Sequence, residues 1–293
     1  MPFRGLSAGF FALCGATFSL IVLGALVRAH GAGLACPDWP LCFGRVVPAF
    51  DLRVGFEWTH RAVAGGVALG FAGLAAAVLR RPAARAACGP WLPAAALLLV
   101  AQIALGALTV WHLLAAWTVT AHLVTGNLFD ACVLGIGLRL RGAGAPREAP
   151  SAARGWVAAT GLCLALQLVL GGLVSSRYAG LACPEWPTCN GGVWFPSFGG
   201  AVGLHLLHRG NGYLLALLLG AAAWATRGRG ARGRALAGAA ALGAAQVVVG
   251  VLNVRLGLPV EVTGLHSALA AGLVLSLAAA AFASSGAARR SAS

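Results

Sequence analysis

The chain contains the same short segment twice, as AGLACPDWPLC at residues 32–42 and as AGLACPEWPTC at residues 179–189. Nine of the eleven positions are identical, and the copies lie 147 residues apart in a chain of 293. A separation of half the chain length indicates that a larger unit has been duplicated. This segment therefore predicts a tandem repeat whose two copies share one fold.

The composition requires a lipid environment. Hydrophobic residues make up 59% of the chain and charged residues 10%, which is more apolar surface than a water-soluble domain can bury. The net charge of +14 comes from arginine, and most arginines lie in short connectors between apolar runs. This distribution is typical of charge that sets membrane topology. Nucleic-acid binding is not favoured, because it needs a basic face on a folded soluble domain.

Eight apolar runs have the length of helices that cross a bilayer core about 30 Å thick. They cover roughly residues 8–28, 57–79, 92–110, 118–138, 154–174, 204–226, 236–254 and 262–283. The first run lacks a small-residue cleavage site and is predicted to be retained as a helix. The sequence thus predicts an all-α integral membrane protein with eight transmembrane helices.

Further matches between the halves predict two tandem four-helix bundles, related by a pseudo-twofold axis along the membrane normal. AQIALGALTV at 101–110 corresponds to AQVVVGVLNV at 245–254, and a Pro-containing linker at 142–154 joins the halves. The predicted halves are residues 1–145 and 146–293. Arginine is concentrated in the connectors of one side, so the positive-inside rule places both termini in the cytoplasm and both Cys-bearing loops outside.

Four histidines lie in the even-numbered predicted spans, near their outer ends: His60, His122, His208 and His266. Ionisable residues inside spans are costly and are usually functional. Two histidines on facing helices can ligate a haem iron from both sides within an apolar bundle. A zinc ion would instead need about four convergent ligands. Because matching positions of each half carry two histidines, the pattern predicts two haem sites, one per half.

One acidic residue stands beside the first of these histidines. Glu57 precedes His60 by three residues, so both project from the same face of a helix, and His205 occupies the equivalent place in the second half. Glu57 could act as a general base or stabilise a developing positive charge. Alternatively, it is an acid favoured by the helix dipole. The asymmetry favours a substrate site in the first half and a permanent cofactor in the second.

Two further sets of polar residues lie close to the histidines in the sequence. Arg61 and Arg209 each follow a histidine directly, and they could pair with haem propionates or extend to the membrane interface. Gln102, Gln167 and Gln246 each stand four residues before a glycine. That spacing favours close helix packing with an interhelical hydrogen bond.

The repeated segment carries a pair of cysteines in each copy. Cys36 and Cys42 are separated by five residues, as are Cys183 and Cys189, and both pairs are predicted on the outer side, where disulfides persist. The prolines favour a tight bend that could bring the sulfurs together, for a structural or a redox role. The other cysteines are expected to be reduced thiols: Cys14, Cys88, Cys132 and Cys163.

These motifs together resemble those of the haem A synthase family. The resemblance rests on the four histidines, Glu57 and the surrounding stretches EWTHR at 57–61, AHLVTGN at 121–127, LHRGNGYLL at 207–215 and TGLHSALAAG at 263–272. In that family, haem O is converted to haem A by oxidation of a ring methyl to a formyl group through successive hydroxylations. The resemblance implies haem B at His208 and His266, and haem O at His60 and His122.

The resemblance also implies a catalytic role for Glu57 and a disulfide between Cys36 and Cys42, with Cys183 and Cys189 matching in form. It implies a bacterial cell membrane protein that works with haem O synthase and with cytochrome oxidase assembly components. The electron acceptor is not identified by the sequence, and a homo-oligomer is left open.

Two other functions remain compatible with the sequence. A di-haem membrane electron-transfer cytochrome would keep both haems and form no product. A haem transfer or assembly factor would not need Glu57. A small-molecule transporter would leave the four-histidine pattern unexplained.

Overall fold

The computed structural model describes residues 2–49, 51–143, 152–228 and 230–283. Within these ranges the chain forms nine helices and no β-strand, apart from two isolated bridge pairs in loops. The helices are α1 Arg4–Ala29, α2 Leu52–Leu79, α3 Pro82–Cys88, α4 Trp91–Trp111, α5 Ala116–Arg141, α6 Ala152–Ser176, α7 Gly200–Ala225, α8 Gly230–Arg255 and α9 Val260–Phe282. The predicted boundary between the halves, at residues 145 and 146, lies outside the described residues.

Seven of these helices are long and apolar enough to cross a membrane: α1, α2, α4, α5, α6, α8 and α9. The all-helical, multi-pass membrane architecture is therefore confirmed. Helix α7 has 26 residues, a length of about 39 Å at 1.5 Å per residue. It is not among the seven, and its first half carries the polar residues His205, His208 and Arg209. The eighth crossing therefore stays a prediction.

Local sequence accounts for several helix ends. The Asp51 side chain caps α2 by accepting the Val54 N–H at 2.9 Å, which satisfies a backbone donor that the helix itself leaves free. Helix α3 begins with Pro82, whose ring suits the first helical position. It ends before Gly89, which has a φ of 58°, a left-handed conformation that glycine adopts at low cost. This short helix between α2 and α4 was not predicted.

The helices pack in a pattern that recurs in the two halves. Helix α1 packs against α2 and α5, and α4 packs against α5. In the same way α6 packs against α7 and α9, and α8 packs against α9. Between the halves, α1 meets α9, α5 meets α6, and α5 meets α9. If α1, α2, α4 and α5 are matched in order with α6, α7, α8 and α9, each contact in one half has its counterpart in the other. The contact of α1 with α9 then corresponds to that of α6 with α5, and the contact of α5 with α9 corresponds to itself.

The largest departure from this pattern involves α7 and α8. Helix α7 packs along α8, whereas the equivalent helices α2 and α4 are at most in marginal contact. The connection between α2 and α4 contains α3, which touches α2, α4 and α5, while α7 and α8 are joined by a short turn. The first half is therefore more open on this side than the second.

The core of the first half depends on aromatic packing between α2 and α5. Phe129 is 2% exposed, and its ring meets that of Phe71 edge to face, with centroids 5.5 Å apart. We expect Phe129→Ala to lower the free energy of unfolding by about 3 kcal/mol, because it leaves a cavity that neighbouring helices cannot fill. Leu128→Ala, at a position 47% exposed, should change it little. Thermal or denaturant unfolding in detergent measures both, and equal losses would contradict this account of the core.

Candidate functional site

The four predicted histidines lie on four different helices and approach one another in pairs. His60 is on α2 and His122 on α5, while His208 is on α7 and His266 on α9. The rings of His60 and His122 are close enough to interact electrostatically, and so are those of His208 and His266. Each half of the chain therefore brings two imidazoles from facing helices into one space.

Three of these rings have a buried nitrogen without a hydrogen-bond partner among the described residues. The nitrogen is Nδ1 in His60, His122 and His266. Buried polar atoms in proteins are normally hydrogen-bonded, so an unpaired one indicates that a bound molecule completes the site. In His208 the same atom is within hydrogen-bonding distance of a glutamine.

A glycine on the neighbouring helix faces each ring. The distances from a Cβ built on the glycine to the histidine Cε1 are 3.0 Å for Gly24 and His60, 3.4 Å for Gly106 and His122, 3.1 Å for Gly171 and His208, and 3.2 Å for Gly250 and His266. At Gly24, Gly171 and Gly250 this is closer than most real Cβ atoms lie to a neighbour, so a larger residue there would push the ring away, whereas 3.4 Å at Gly106 is an ordinary contact. The bare backbone of these glycines lets the helices approach closely and sets the position of each imidazole.

Two of the three glutamines contact these histidines. Gln102 Nε2 lies 3.2 Å from His122 Nε2, and Gln167 Nε2 lies 3.1 Å from His208 Nδ1. The predicted interhelical hydrogen bonds are therefore present at these two residues, and their partner is a site histidine. The sequence contained a clue to this role, because a spacing of four residues puts the glutamine and the histidine-facing glycine on one face of the helix. The sequence predicts the packing and the hydrogen bond but does not identify histidine as the partner.

The donor set fits a haem in each half. The described part of the chain contains no group of three or more His, Cys, Asp or Glu side chains arranged to hold a metal ion. What each half offers is two imidazoles in apolar surroundings, with at least one unpaired ring nitrogen and with glycines that let the rings lie close to the neighbouring backbone. This is the ligand set of a haem iron with two axial histidines.

Each repeated segment forms a loop closed by a disulfide. The bonds join Cys36 to Cys42 and Cys183 to Cys189, and all four cysteines are at most 1% exposed. The burial of both disulfides limits their access to external thiols, which favours a structural role for each. The remaining cysteines are unbridged: Cys14, Cys88, Cys132 and Cys163.

Arginines clamp both loops to the helices below them. Arg61 on α2 donates to three loop carbonyls, those of Cys36, Asp38 and Leu41, at 2.6 to 3.0 Å. Arg209 on α7 donates to the three repeat-equivalent carbonyls, those of Cys183, Glu185 and Thr188, at 3.0 to 3.1 Å. Neither of the two roles predicted for these arginines includes this contact. The loop carbonyls come together at the guanidinium only in the folded chain.

Glu57 lies beneath the first loop and is 5% exposed. Its Oε2 accepts the Cys36 N–H at 2.9 Å, and its Oε1 forms an ion pair with Arg61. In the second half His205 supports the loop differently, with Nδ1 within 2.9 Å of the Ala179 carbonyl. The second loop is held by an imidazole at the equivalent position. Holding the loop therefore does not by itself require a carboxylate at position 57.

The acidic residue of each loop closes the turn that follows the second cysteine. Asp38 accepts the N–H groups of Phe43 and Gly44 at 2.7 Å, and Glu185 accepts those of residues 191–192 at 3.0 Å. These backbone hydrogen bonds, that of Gly44 foremost, hold the pKa of Asp38 below its ordinary value. The corresponding bonds lower the pKa of Glu185. The longer glutamate reaches one residue further along its loop.

The first loop should therefore loosen in acid. A carboxyl whose pKa is lower in the folded state stabilises that state above its ordinary pKa, and the contribution is lost as the pH falls through the folded value. We expect the amides of Phe43 and Gly44 to lose protection from hydrogen exchange below about pH 3.9, the ordinary Asp pKa. The Ala35 amide, which is bonded to the Ala32 carbonyl, is the internal control. Acid-independent protection at Phe43 and Gly44 would contradict this account.

The glycines that face the histidines give a matched test of the site. A methyl group at Gly171 would meet His208, so we expect Gly171→Ala to remove about half of the protein-bound haem, because overpacking shifts the ring. Gly161→Ala, on the same helix with no atom within 4 Å of the new carbon, should bind haem normally. Absorption spectra of the purified variants measure this. Normal haem content in both variants would show that the contact does not set the ring position.

Similarity to known proteins identifies the family of the chain. A sequence model of the COX15-CtaA family, described as cytochrome oxidase assembly protein, matches residues 9–278. A protein of Shewanella oneidensis named heme A synthase is 30% identical, over 89% of this chain and 91% of its own length. Proteins with the same name from Alkalihalophilus pseudofirmus and Rhizorhabdus wittichii are 32% and 28% identical, over 68% and 89% of this chain and 70% and 88% of their own lengths. The chain therefore belongs to the COX15-CtaA family of cytochrome oxidase assembly proteins.

Proposed function

We propose that the chain is a haem A synthase, an oxidoreductase that converts a methyl group of haem O to a formyl group by successive hydroxylations. The observation that carries the proposal is the presence of two imidazole pairs at matching positions of the two halves, with a buried carboxylate, Glu57, three residues before a histidine of the first pair. The names of the relatives support the same reaction.

The two halves are assigned different haems. His208 and His266 would hold haem B as the resident cofactor, and His60 and His122 would hold the substrate haem O. The marginal contact between α2 and α4 supports this division, because a substrate must enter and leave its site. The close packing of α7 with α8 suits a cofactor that stays bound.

In this mechanism the bound haem B supplies one-electron redox chemistry, and the chain supplies position and acid–base groups. His60 and His122 orient the substrate, with Gly24 and Gln102 fixing their rings. The carboxylate of Glu57 is held in place by the Cys36 amide and by Arg61. From there its Oε atoms take a proton from an attacking water or stabilise positive charge that develops on the substrate.

The proposal includes the finer membrane architecture. Helix α7 is the eighth crossing, and the halves 1–145 and 146–293 are two four-helix bundles related by a pseudo-twofold axis. Both termini lie in the cytoplasm, and the two disulfide loops lie outside a bacterial cell membrane. Haem O synthase, cytochrome oxidase assembly components and an electron acceptor of unassigned identity are its partners. The repeat-matched helix contacts and the placement of arginine support this architecture.

Substitution of Glu57 tests the catalytic assignment. Glu57→Gln keeps an oxygen that accepts the Cys36 N–H, while Arg61 keeps its three loop carbonyls, so we expect both haem sites to form. Because the charge and the base are lost, haem A should fall by about a hundredfold, the lower part of the range for acid–base groups, with a hydroxylated intermediate accumulating. Glu261→Gln, at an exposed position in the first turn of α9, is the control.

Extraction and mass analysis of haems from cells that also make haem O measure the outcome. Normal haem A from the Glu57→Gln variant would remove Glu57 from the mechanism. A wild-type protein that retains both haems and yields no haem A would be a di-haem electron-transfer cytochrome instead.

A further inference from the structure

An acidic side chain lies deep inside the first half, away from the site described above. Asp130 on α5 is 1% exposed, and neither carboxylate oxygen accepts a conventional hydrogen bond from the described residues. Its interaction is with the thiol of Cys14 on α1. An isolated carboxylate in such surroundings is very costly, and acids inside membrane spans usually have a function.

Besides Cys14, two other buried polar side chains of α1 lie on the side that faces α5, among apolar residues. Two turns closer to the N-terminus of α1, Ser7 donates to the Gly137 carbonyl at 2.9 Å. Thr17 is 3% exposed and follows Cys14 by three residues, on the same side of α1. We refer to Ser7, Cys14, Thr17 and Asp130 together as the seam. Asp130 lies eight residues along α5 from His122, or about 12 Å.

The second half has no such seam, although the helices correspond. With the glycines and histidines of the site aligned, Cys14 corresponds to Gly161, Thr17 to Leu164 and Asp130 to Val274. Leu164 and Val274 are buried in the apolar core of that half. The duplicated helices thus keep the histidines in both halves and carry the buried acid in one only. This is the half to which the proposed function assigns the reacting haem.

Ser7, at the other end of the seam, borders an open surface cavity. Its lining consists of Arg4, Ser7, Ala8, Phe11 and Arg141, at the ends of α1 and α5 that are predicted to face the cytoplasm. Ser7 therefore belongs both to the cavity wall and to the seam. Asp130 lies between this cavity and the histidine pair of the first half.

We propose that Asp130 is a proton-transfer residue that exchanges protons between the haem site of the first half and the cytoplasmic cavity. The inference rests on the proposed function, because each two-electron oxidation of a C–H bond to C–OH by water releases two protons, which must leave the site. The step at Asp130 is acid–base chemistry alone. A carboxylate takes up one proton from the side of the site and releases it toward Ser7 and the cavity, and no electrons move.

The surroundings suit a group that changes its protonation state. In the part of the chain that the structure describes, Cys14 is the titratable side chain that interacts with Asp130, and no cation of α1, α4, α6 or α9 is paired with it. A permanently ionised acid would need such a cation. The neutral acid can exist in this apolar core and can ionise transiently when a proton leaves.

Infrared difference spectroscopy tests the proposal on the whole protein. Protein purified with haem B as the probe is cycled between oxidised and reduced states, with and without D2O. We expect a deuterium-sensitive band in the carbonyl region of protonated carboxylic acids, absent from Asp130→Asn. Thr160→Val is the matched control, because Thr160 is also fully buried and its hydroxyl donates within its own helix. It should keep the band.

Haem A yield in cells that make haem O supplies the second measurement. We expect the haem A yield of Asp130→Asn to fall by about tenfold or more. This is less than the loss of a group that transfers a proton in the chemical step itself would cause. Asp130→Glu should restore most of it, because it restores an ionisable group, and bound haem should be unchanged in both. Full haem A yield in Asp130→Asn, or a wild-type spectrum without the band, would overturn the proposal. If the wild type forms no haem A, the proposed function fails and the infrared band still decides the role of Asp130.

Discussion

The close approach of an imidazole ring to a bare backbone is the contact on which this molecule depends. It occurs four times, each time between a histidine and a glycine on the helix that precedes it. The distance from a Cβ built on the glycine to the histidine Cε1 is 3.0 to 3.4 Å. Lipid tails are as apolar as the helix surfaces, so the hydrophobic effect does not drive helices together in a membrane. They associate through close van der Waals packing and interhelical hydrogen bonds instead. The residues that hold the helices together are thus the same residues that hold the rings in place.

Above these contacts, the two disulfide loops show how a duplicated unit can keep its structure and change its chemistry. Arg61 and Arg209 clamp equivalent carbonyls, and Asp38 and Glu185 close equivalent turns. The residue beneath the loop has diverged, to Glu57 in one half and to a histidine in the other. Under the proposed function, a buried carboxylate beside one histidine pair would let the same fold perform a reaction in one half and hold a cofactor in the other.

The packing between helices has diverged in the same direction. The second half is closed by α7 against α8, and its core is apolar where α6 meets α9. The first half leaves α2 and α4 apart and buries Asp130 against Cys14. Both differences fall in the half that contains Glu57. The looser packing of α2 with α4, the acid Glu57 and the buried acid Asp130 therefore occur in the same half. A site that exchanges its haem and releases protons needs features of this kind, whereas a site that only stores a cofactor does not.

Much of this could be predicted from the sequence, because membrane crossing and duplication leave strong patterns. Apolar runs of helix length predicted the helical class, the two copies of the Cys-bearing segment indicated the repeat, and the matching positions of His60, His122, His208 and His266 indicated the candidate site. The short helix α3, the clamping role of Arg61 and the contact of Gln167 with His208 were not predicted. Asp130 was not singled out either, since a lone acid in a span says nothing about its neighbours. These features depend on which side chains meet across helices, and only the tertiary structure decides that, because residues far apart in the chain become partners only when the helices pack.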